Sequence, residues 1–248
     1  MKLQVQQSDA DLIVFPELNL TGYFFASKKE IAPLAESTDG PLSHAIAKLA
    51  KETHKAIITG FLERDGEHYY NSALAFDCNG ALVGLYRKVH LFYYETQIFE
   101  PGNLGFPVFE IKTNAGIAST GIMICYDWRF PEAARSLAIK GAELIAVPSN
   151  IVTTTGMLLK TLQTRAFENK VVLAFADRIG SEENAFVTPS ELTFRGESTI
   201  INFNGEILSQ ADSTGEQILV SQVNLDPTRE KSFNNFNNLL KDRRPETY

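Results

Sequence analysis

Cys125 stands in the run Gly121-Ile122-Met123-Ile124-Cys125-Tyr126-Asp127-Trp128-Arg129-Phe130-Pro131-Glu132. The apolar half reads as a buried strand. Pro131 reads as the first turn of a helix, where its missing N–H costs nothing. A cysteine at such a junction lies at the rim of a sheet, near free backbone N–H groups, which is where a nucleophile is useful. A free thiol has a pKa of about 8.5, so only a small fraction is thiolate at neutral pH. Chemistry at Cys125 therefore requires a base or a cation beside it.

Histidine is the usual base, and the chain has four. His44 and His54 fall on or beside an amphipathic helical stretch, and His68 lies in a polar turn. Only His90, in Arg87-Lys88-Val89-His90-Leu91-Phe92, is close to another candidate motif, so a Cys125–His90 pair stays open as the lesser alternative. Glu17 follows Phe15-Pro16 at the end of one apolar strand, and Lys88 follows Leu85-Tyr86-Arg87 at the end of another. Read singly, each is as readily a solvated residue just past a strand. Together, three strand ends carry Glu, Lys and Cys. A desolvated carboxylate can take a thiol proton, and a buried ammonium lowers a thiol pKa and stabilises an oxyanion.

The elements that must position these residues follow from periodicity and turn chemistry. Strands are expected at Asp11 to Pro16, Ala56 to Leu62, Tyr70 to Phe76, Ala81 to Tyr86, Gly116 to Cys125, Glu143 to Pro148, Val171 to Ala176, Glu197 to Phe203, Glu206 to Gln210 and Gln217 to Val223. Helices are expected at Pro41 to Thr53, Pro131 to Lys140 and Met157 to Asn169. Asn79-Gly80 and Asn204-Gly205 are hairpin turn signals. Hairpins together with helix-linked strands favour stacked sheets with helices outside over an open parallel sheet.

Composition narrows the function classes. The 248 residues are 44% hydrophobic and 21% charged, ordinary for a globular chain that buries a core. No linker or repeat divides them, so a single domain over 1–248 is expected. The net charge of −7 argues against a nucleic-acid partner. Two cysteines, Cys78 and Cys125, suggest no disulfide framework. No apolar stretch has membrane-span length and no secretory signal precedes the first strand, so no membrane partner and a cytoplasmic location are expected. Histidines at ligand spacing are absent.

Phe15-Pro16-Glu17-Leu18-Asn19-Leu20-Thr21-Gly22-Tyr23, Tyr86-Arg87-Lys88-Val89-His90-Leu91-Phe92 and the Cys125 segment, in that order, resemble the three motifs of the nitrilase superfamily of carbon–nitrogen hydrolases. Arg165-Ala166-Phe167-Glu168-Asn169, Asp177-Arg178-Ile179-Gly180 and Gly196-Glu197-Ser198 agree, and the resemblance covers nearly the whole chain. It implies an α/β fold, a four-layer αββα sandwich, and a catalytic set of Glu17, Lys88 and Cys125. It also implies a second glutamate, for which Glu95 is the candidate and Glu100 the ordinary turn residue. The backbone N–H of Tyr126 would help to hold the oxyanion. The implied mechanism needs neither a metal nor a cofactor, which agrees with the absence of histidines at ligand spacing. Trp128 would line the pocket and Asn150 would meet substrate, although helix-start packing and a turn explain those two as readily.

Members of that family open with a strand and a long helix before the glutamate strand. Here only Met1 to Asp11 precede it, so the first strand and most of the first helix are expected to be lacking. Tyr126 in place of the tryptophan common in nitrile-cleaving members favours a small amide or carbamoyl substrate. A small aliphatic nitrile is the alternative, and a non-catalytic binding or scaffold protein is the alternative of another class. The resemblance also implies a homodimer or higher homo-oligomer, with the tail from Pro227 to Tyr248 and its aromatics Phe233, Phe236 and Tyr248 as contact candidates.

Overall fold

In a computed structural model the described residues are 1–153 and 156–247. The first sheet holds four strands: β1 (Leu12–Val14), β2 (Ala56–Asp65), β3 (His68–Phe76) and β4 (Leu82–Arg87), in that order. β1 runs parallel to β2, and the other two pairings are antiparallel. The second sheet is built from β5 (Val108–Thr113), β6 (Gly116–Ile122), β7 (Leu144–Ser149), β8 (Val172–Asp177), β11 (Thr199–Ile201) and β12 (Ile207–Gln210). Its order is β12-β11-β8-β7-β6-β5, with β6, β7 and β8 parallel at the centre. The pair β9 (Ile179–Glu183) and β10 (Glu191–Arg195) forms a separate antiparallel ribbon.

Helices cover the outer faces. On the first sheet lie α1 (Lys2–Gln7) and α3 (Pro41–Thr53), and on the second α5 (Pro131–Ile139) and α6 (Leu158–Asn169). The short turns α2 (Lys28–Ile31), α4 (Glu95–Ile98) and α7 (Asp226–Arg229) lie in connections. Alternation along β2 shows why the layers stack. Ile57 and Phe61 pack outward on Val5, Ile46 and Leu49, whereas Ile58 turns inward to the larger core with Ile122, Ile145 and Val147. A strand buried on both faces loses the polar alternation of a solvent-facing sheet, and β2 is buried at its first eight residues. The result is the α/β sandwich of two sheets between helices.

Several expected elements shift. The strand expected to reach Cys125 ends at Ile122, because the next residues turn into a 3₁₀ segment, Cys125–Arg129. The strand expected at Gln217 to Val223 is not formed. Its apolar side chains Ile218 and Val220 are half exposed, and the segment joins neither sheet. Conversely β5, β9 and β10 were not anticipated. Of the tail's aromatics, Phe233 and Phe236 are exposed and Tyr248 lies outside the described residues. Among the described residues no helix is long and apolar enough to cross a membrane.

Candidate active site

Glu17 is delivered by the chain leaving β1. Phe15 donates its N–H to the Ile58 carbonyl at 2.8 Å, extending the ladder past the strand's end. The backbone then crosses Gly60 so closely that a Cβ there would lie 2.1 Å from Leu18 N and 2.6 Å from the Glu17 carbonyl carbon. Leu18 takes a left-handed φ of 44°, unfavourable for a branched side chain, and its carbonyl accepts from Arg178 at 3.1 Å. Asn150 Nδ2 donates to the Glu17 carbonyl at 2.9 Å.

Lys88 follows β4 directly. Its N–H donates to Asn71 O and its carbonyl accepts from Gly102 N, each at 2.8 Å. Gly102 is again a close approach, since a Cβ would stand 2.0 Å from the Arg87 oxygen. The Lys88 ammonium, fully buried, donates to Glu17 Oε1 and to Glu95 Oε1, both at 2.7 Å. Asn71 Nδ2 donates to the same Glu17 oxygen at 2.7 Å, which leaves Oε2 of Glu17 buried and unpartnered. Glu95 opens α4, where its Oε1 also accepts the Tyr23 hydroxyl at 2.8 Å and its Oε2 the Phe92 N–H at 3.0 Å. The second glutamate is thus a buried partner of Lys88, not a loop residue in solvent, while Glu100 pairs at the surface with Lys28.

Cys125 begins the tight turn after β6 with a φ of 42°. Such left-handed strain at a non-glycine residue costs about 1–3 kcal/mol and is held by its surroundings. The holder is Asp127, itself fully buried. Its Oδ2 accepts the Ile124 N–H at 2.9 Å and the Tyr86 hydroxyl at 2.6 Å. Its Oδ1 faces the His90 N–H at 3.1 Å and His90 Nδ1 at 2.7 Å. His90, stacked flat on Phe130, therefore serves the turn through Asp127, and the alternative Cys125–His90 pair is not formed. Cys125 Sγ lies 3.8 Å from the Asn150 carbonyl.

Burial shapes the electrostatics. It pushes the Cys125 thiol well above its ordinary pKa, Glu17 adds to the rise, and Lys88 opposes it. The resting group is a thiol. Burial alone would lower Lys88, but the charges of Glu17 and Glu95 outweigh it and hold the ammonium protonated. Burial carries Glu95 up to about 7, against the pull of Lys88. Among the described residues no three His, Cys, Asp or Glu side chains are grouped to hold a metal ion.

Cys125 opens onto a cleft of about 320 Å³, open solvent included, walled by Phe92, Tyr126, Trp128, Arg129 and the stretch Asn150 to Thr153. Tyr126 and Trp128 both line this cleft. Asn150 reaches the cleft too, but its amide nitrogen is committed to the Glu17 backbone, so its side chain fixes the glutamate loop and only Oδ1 is left unpartnered. Sequence reasoning missed Asn71, Tyr23 and Asp127. Asp127 had a signal: a carboxylate two residues after Cys125, at the position of a tight turn where it can reach back to the N–H of Ile124.

The carbon-nitrogen hydrolase family model matches residues 2–232. The chain belongs to the carbon-nitrogen hydrolase family. It is a hydrolase of non-peptide carbon–nitrogen bonds. It is 40% identical over 246 residues to a nitrilase of Pyrococcus abyssi, covering 99% of this chain and 88% of that one. It is 34% identical to an N-carbamoylputrescine amidase of Arabidopsis thaliana, over 96% of this chain and 83% of the relative. A citrullinase of Francisella tularensis is 31% identical over 99% and 88% of the two chains. The crystal structure of a carbon-nitrogen hydrolase from Helicobacter pylori G27 superposes with a TM-score of 0.86 at 27% identity, covering all of this chain and 88% of the other. An amidase from Nesterenkonia shares the fold with a TM-score of 0.78 at 24% identity, over 99% and 86% of the chains.

Proposed function

We propose that this hydrolase cleaves a small amide or carbamoyl substrate through a thioester on Cys125, releasing ammonia. The observation that carries the reading is the unpartnered Oε2 of Glu17, a carboxylate whose charge acts on a thiol that burial keeps protonated. Oε1 is occupied by Lys88 and Asn71, so Oε2 is the oxygen available to take the thiol proton. As the proton leaves, sulfur bonds to the substrate carbon and the carbonyl electron pair moves to oxygen. The Lys88 ammonium and the Tyr126 backbone N–H stabilise that oxyanion. Glu17 returns the proton to nitrogen, the carbon–nitrogen bond breaks, and ammonia departs. Water then attacks the thioester with Glu17 as base, giving the acid and the free thiol. Glu95 holds the Lys88 ammonium in register from its other side.

The N-carbamoylputrescine amidase and citrullinase relatives support an amide or carbamoyl carbon. A nitrile is the second reading, carried by the 40% identity to the Pyrococcus nitrilase. Ammonia release from a panel of primary amides, N-carbamoyl amines and aliphatic nitriles, run beside Cys125→Ala, separates the readings. Release by the alanine variant at the parent rate would remove the mechanism.

The exposed side chains of Phe233 and Phe236 support an interface between two copies of the chain. Gel filtration of the chain shortened before Pro227 tests this, and an unchanged mass would count against it.

A further inference from the structure

The ribbon of β9 and β10 belongs to neither sheet, and two strands alone are marginal in water. Gly180 stands opposite Phe194 and Glu182 opposite Leu192, so these four share one face of the ribbon. Phe194 and Leu192 bury that face against Leu18 and Tyr23, on the loop that leaves Glu17. The Phe194 ring meets the Tyr23 ring edge-on, with centroids 6.0 Å apart. Glu182 is the one acid on this face. Its Oε2 accepts the N–H of Tyr23 and the N–H of Phe24, each at 2.8 Å. Its Oε1 accepts from one amino group of Arg178, whose other amino group donates to the Leu18 carbonyl at 3.1 Å. The loop needs such a holder, since the left-handed φ of 44° at Leu18 persists only where the surroundings impose it. Further along, the Tyr23 hydroxyl donates to Glu95 Oε1 at 2.8 Å, and the same oxygen accepts the Lys88 ammonium at 2.7 Å. A path of direct contacts therefore runs from Glu182 through Tyr23 and Glu95 to Lys88. Glu182 does not wall the Cys125 cleft, so it acts on the site through other residues.

Resting on the reading of Cys125 as the nucleophile of an amide or carbamoyl hydrolase, we infer that Glu182 is a positioning residue for the reaction. It seats the loop from Leu18 to Phe24 so that the Tyr23 hydroxyl fixes Glu95 and, through Glu95, the Lys88 ammonium. Two backbone donors on one carboxylate oxygen are charge-assisted hydrogen bonds, short and directional, and they set where Tyr23 stands. The hydroxyl then takes one approach to Glu95 Oε1 and leaves the ammonium the other. A displaced loop would withdraw the hydroxyl and free Glu95 to turn, and Lys88 would lose a fixed counter-ion. The Arg178 arm ties Leu18, the neighbour of Glu17, to the same carboxylate. Base and cation are thus both set from one residue outside the cleft.

A double-mutant cycle over Glu182 and Tyr23 tests this. Alkylation of Cys125 by iodoacetamide, followed by mass spectrometry to separate it from Cys78, reads the thiol with its base and cation and needs no turnover. Ammonia release from the panel of primary amides and N-carbamoyl amines reads hydrolysis. Tyr23→Phe should slow both about tenfold, the range of a hydrogen bond to a charged group. Glu182→Ala should slow both about 10²-fold, as a small displacement of catalytic groups does. KM should stay within about threefold of the parent, the split expected of a group that makes no contact with bound substrate. Glu182→Gln keeps one of the two acceptor oxygens and should fall between parent and Glu182→Ala. Adding Tyr23→Phe to Glu182→Ala should cost less than about twofold more, because the hydroxyl is already out of place. If circular dichroism shows that Glu182→Ala does not fold, the cycle is read with Glu182→Gln, where Tyr23→Phe should again cost less than in the parent. A merely structural Glu182 would leave the Tyr23→Phe factor the same in every background, and that result overturns the inference. So does parent-like alkylation and kcat in Glu182→Ala, or a loss confined to KM. Coupled alkylation without ammonia release from any member of the panel would leave Glu182 as the positioning residue of a reactive thiol and remove the hydrolase reading. Ammonia release with an unchanged Tyr23→Phe factor would do the reverse.

Discussion

Lys88 Nζ lies 2.7 Å from Oε1 of Glu17, and neither side chain is exposed at all. Two charges at this depth lose their hydration, and their attraction offsets the loss only while both are present and hydrogen-bonded. Asn71 and Glu95 complete that set. The arrangement keeps a carboxylate and an ammonium within electrostatic reach of Cys125 at a cost in stability that the surrounding sheets must carry.

Lys88→Met should therefore damage both fold and activity. It leaves two carboxylates facing one another without a cation, a change worth about 3–5 kcal/mol when a buried pair is broken. Urea unfolding should show that loss, and ammonia release should vanish. Glu17→Gln keeps the shape and an acceptor for Lys88, so kcat should fall by roughly 10²–10⁴-fold, the usual worth of a general base, with a much smaller change in the urea midpoint. Comparable stability losses in both variants would indicate a structural ion pair rather than a base.

Gly60 and Gly102 give the same site a steric test. A methyl group at Gly60 would meet the Glu17–Leu18 backbone, and one at Gly102 the carbonyl preceding Lys88. Each alanine variant should lose about 1–3 kcal/mol by overpacking and should lower kcat more than a surface Gly215→Ala control, where nothing lies within 4 Å of a Cβ and the backbone is not left-handed. Thermal melts and initial rates on one preparation decide it.

Much of this was legible in the chain, and the reasons for the misses are physical. Pro41–Thr53 shows as a helix because Leu42, Ile46, Leu49 and Ala50 share a face, and Asn79-Gly80 marks its hairpin by the left-handed φ it requires. Gln217 to Val223 has a strand's composition, but a strand needs a neighbour to pair with, and pairing is not written in a single segment. Glu17, Lys88 and Cys125 could be named because each follows an apolar run. Asn71 and Tyr23 could not, because they reach the site from a strand interior and a distant loop through contacts between residues 54 and 72 positions apart.

Asp127 should act through position rather than chemistry. Its carboxylate ties the turn of Cys125 to the segment after Lys88, through Ile124 on one oxygen and His90 on the other. Asp127→Asn puts an amide donor against a backbone N–H, that of Ile124 or that of His90, whichever way it turns, and should cost about 1–3 kcal/mol for the buried group left unsatisfied. Its kcat should fall while KM for the same amide stays within about threefold, since the cleft walls are not touched. Tyr86→Phe removes one donor to the same carboxylate and should show a milder form of both effects. A KM effect larger than the kcat effect would place Asp127 in substrate binding instead.

Glu95 makes stability depend on pH in a direction opposite to that of most paired carboxylates. Burial raises its pKa from 4.5 in an exposed setting to about 7 in the fold, with Lys88 opposing only part of the rise. Between those two values the folded protein keeps a proton that the unfolded chain has released. Its contribution is therefore full below about pH 4.5, declines as pH rises through the window, and levels off above about 7, a total of about 3 kcal/mol. Glu95→Gln removes the titration and keeps the shape. Urea unfolding of parent and variant from pH 4.5 to pH 8 should show the parent losing stability relative to the variant across that window. Titrating groups remote from Glu95 are common to both proteins and cancel in the difference, whereas Glu17, Lys88, Cys125 and Tyr23, which feel its charge, titrate as one set with it. A difference that stays flat with pH would mean that Glu95 is ionised throughout, with Lys88 compensating its burial in full.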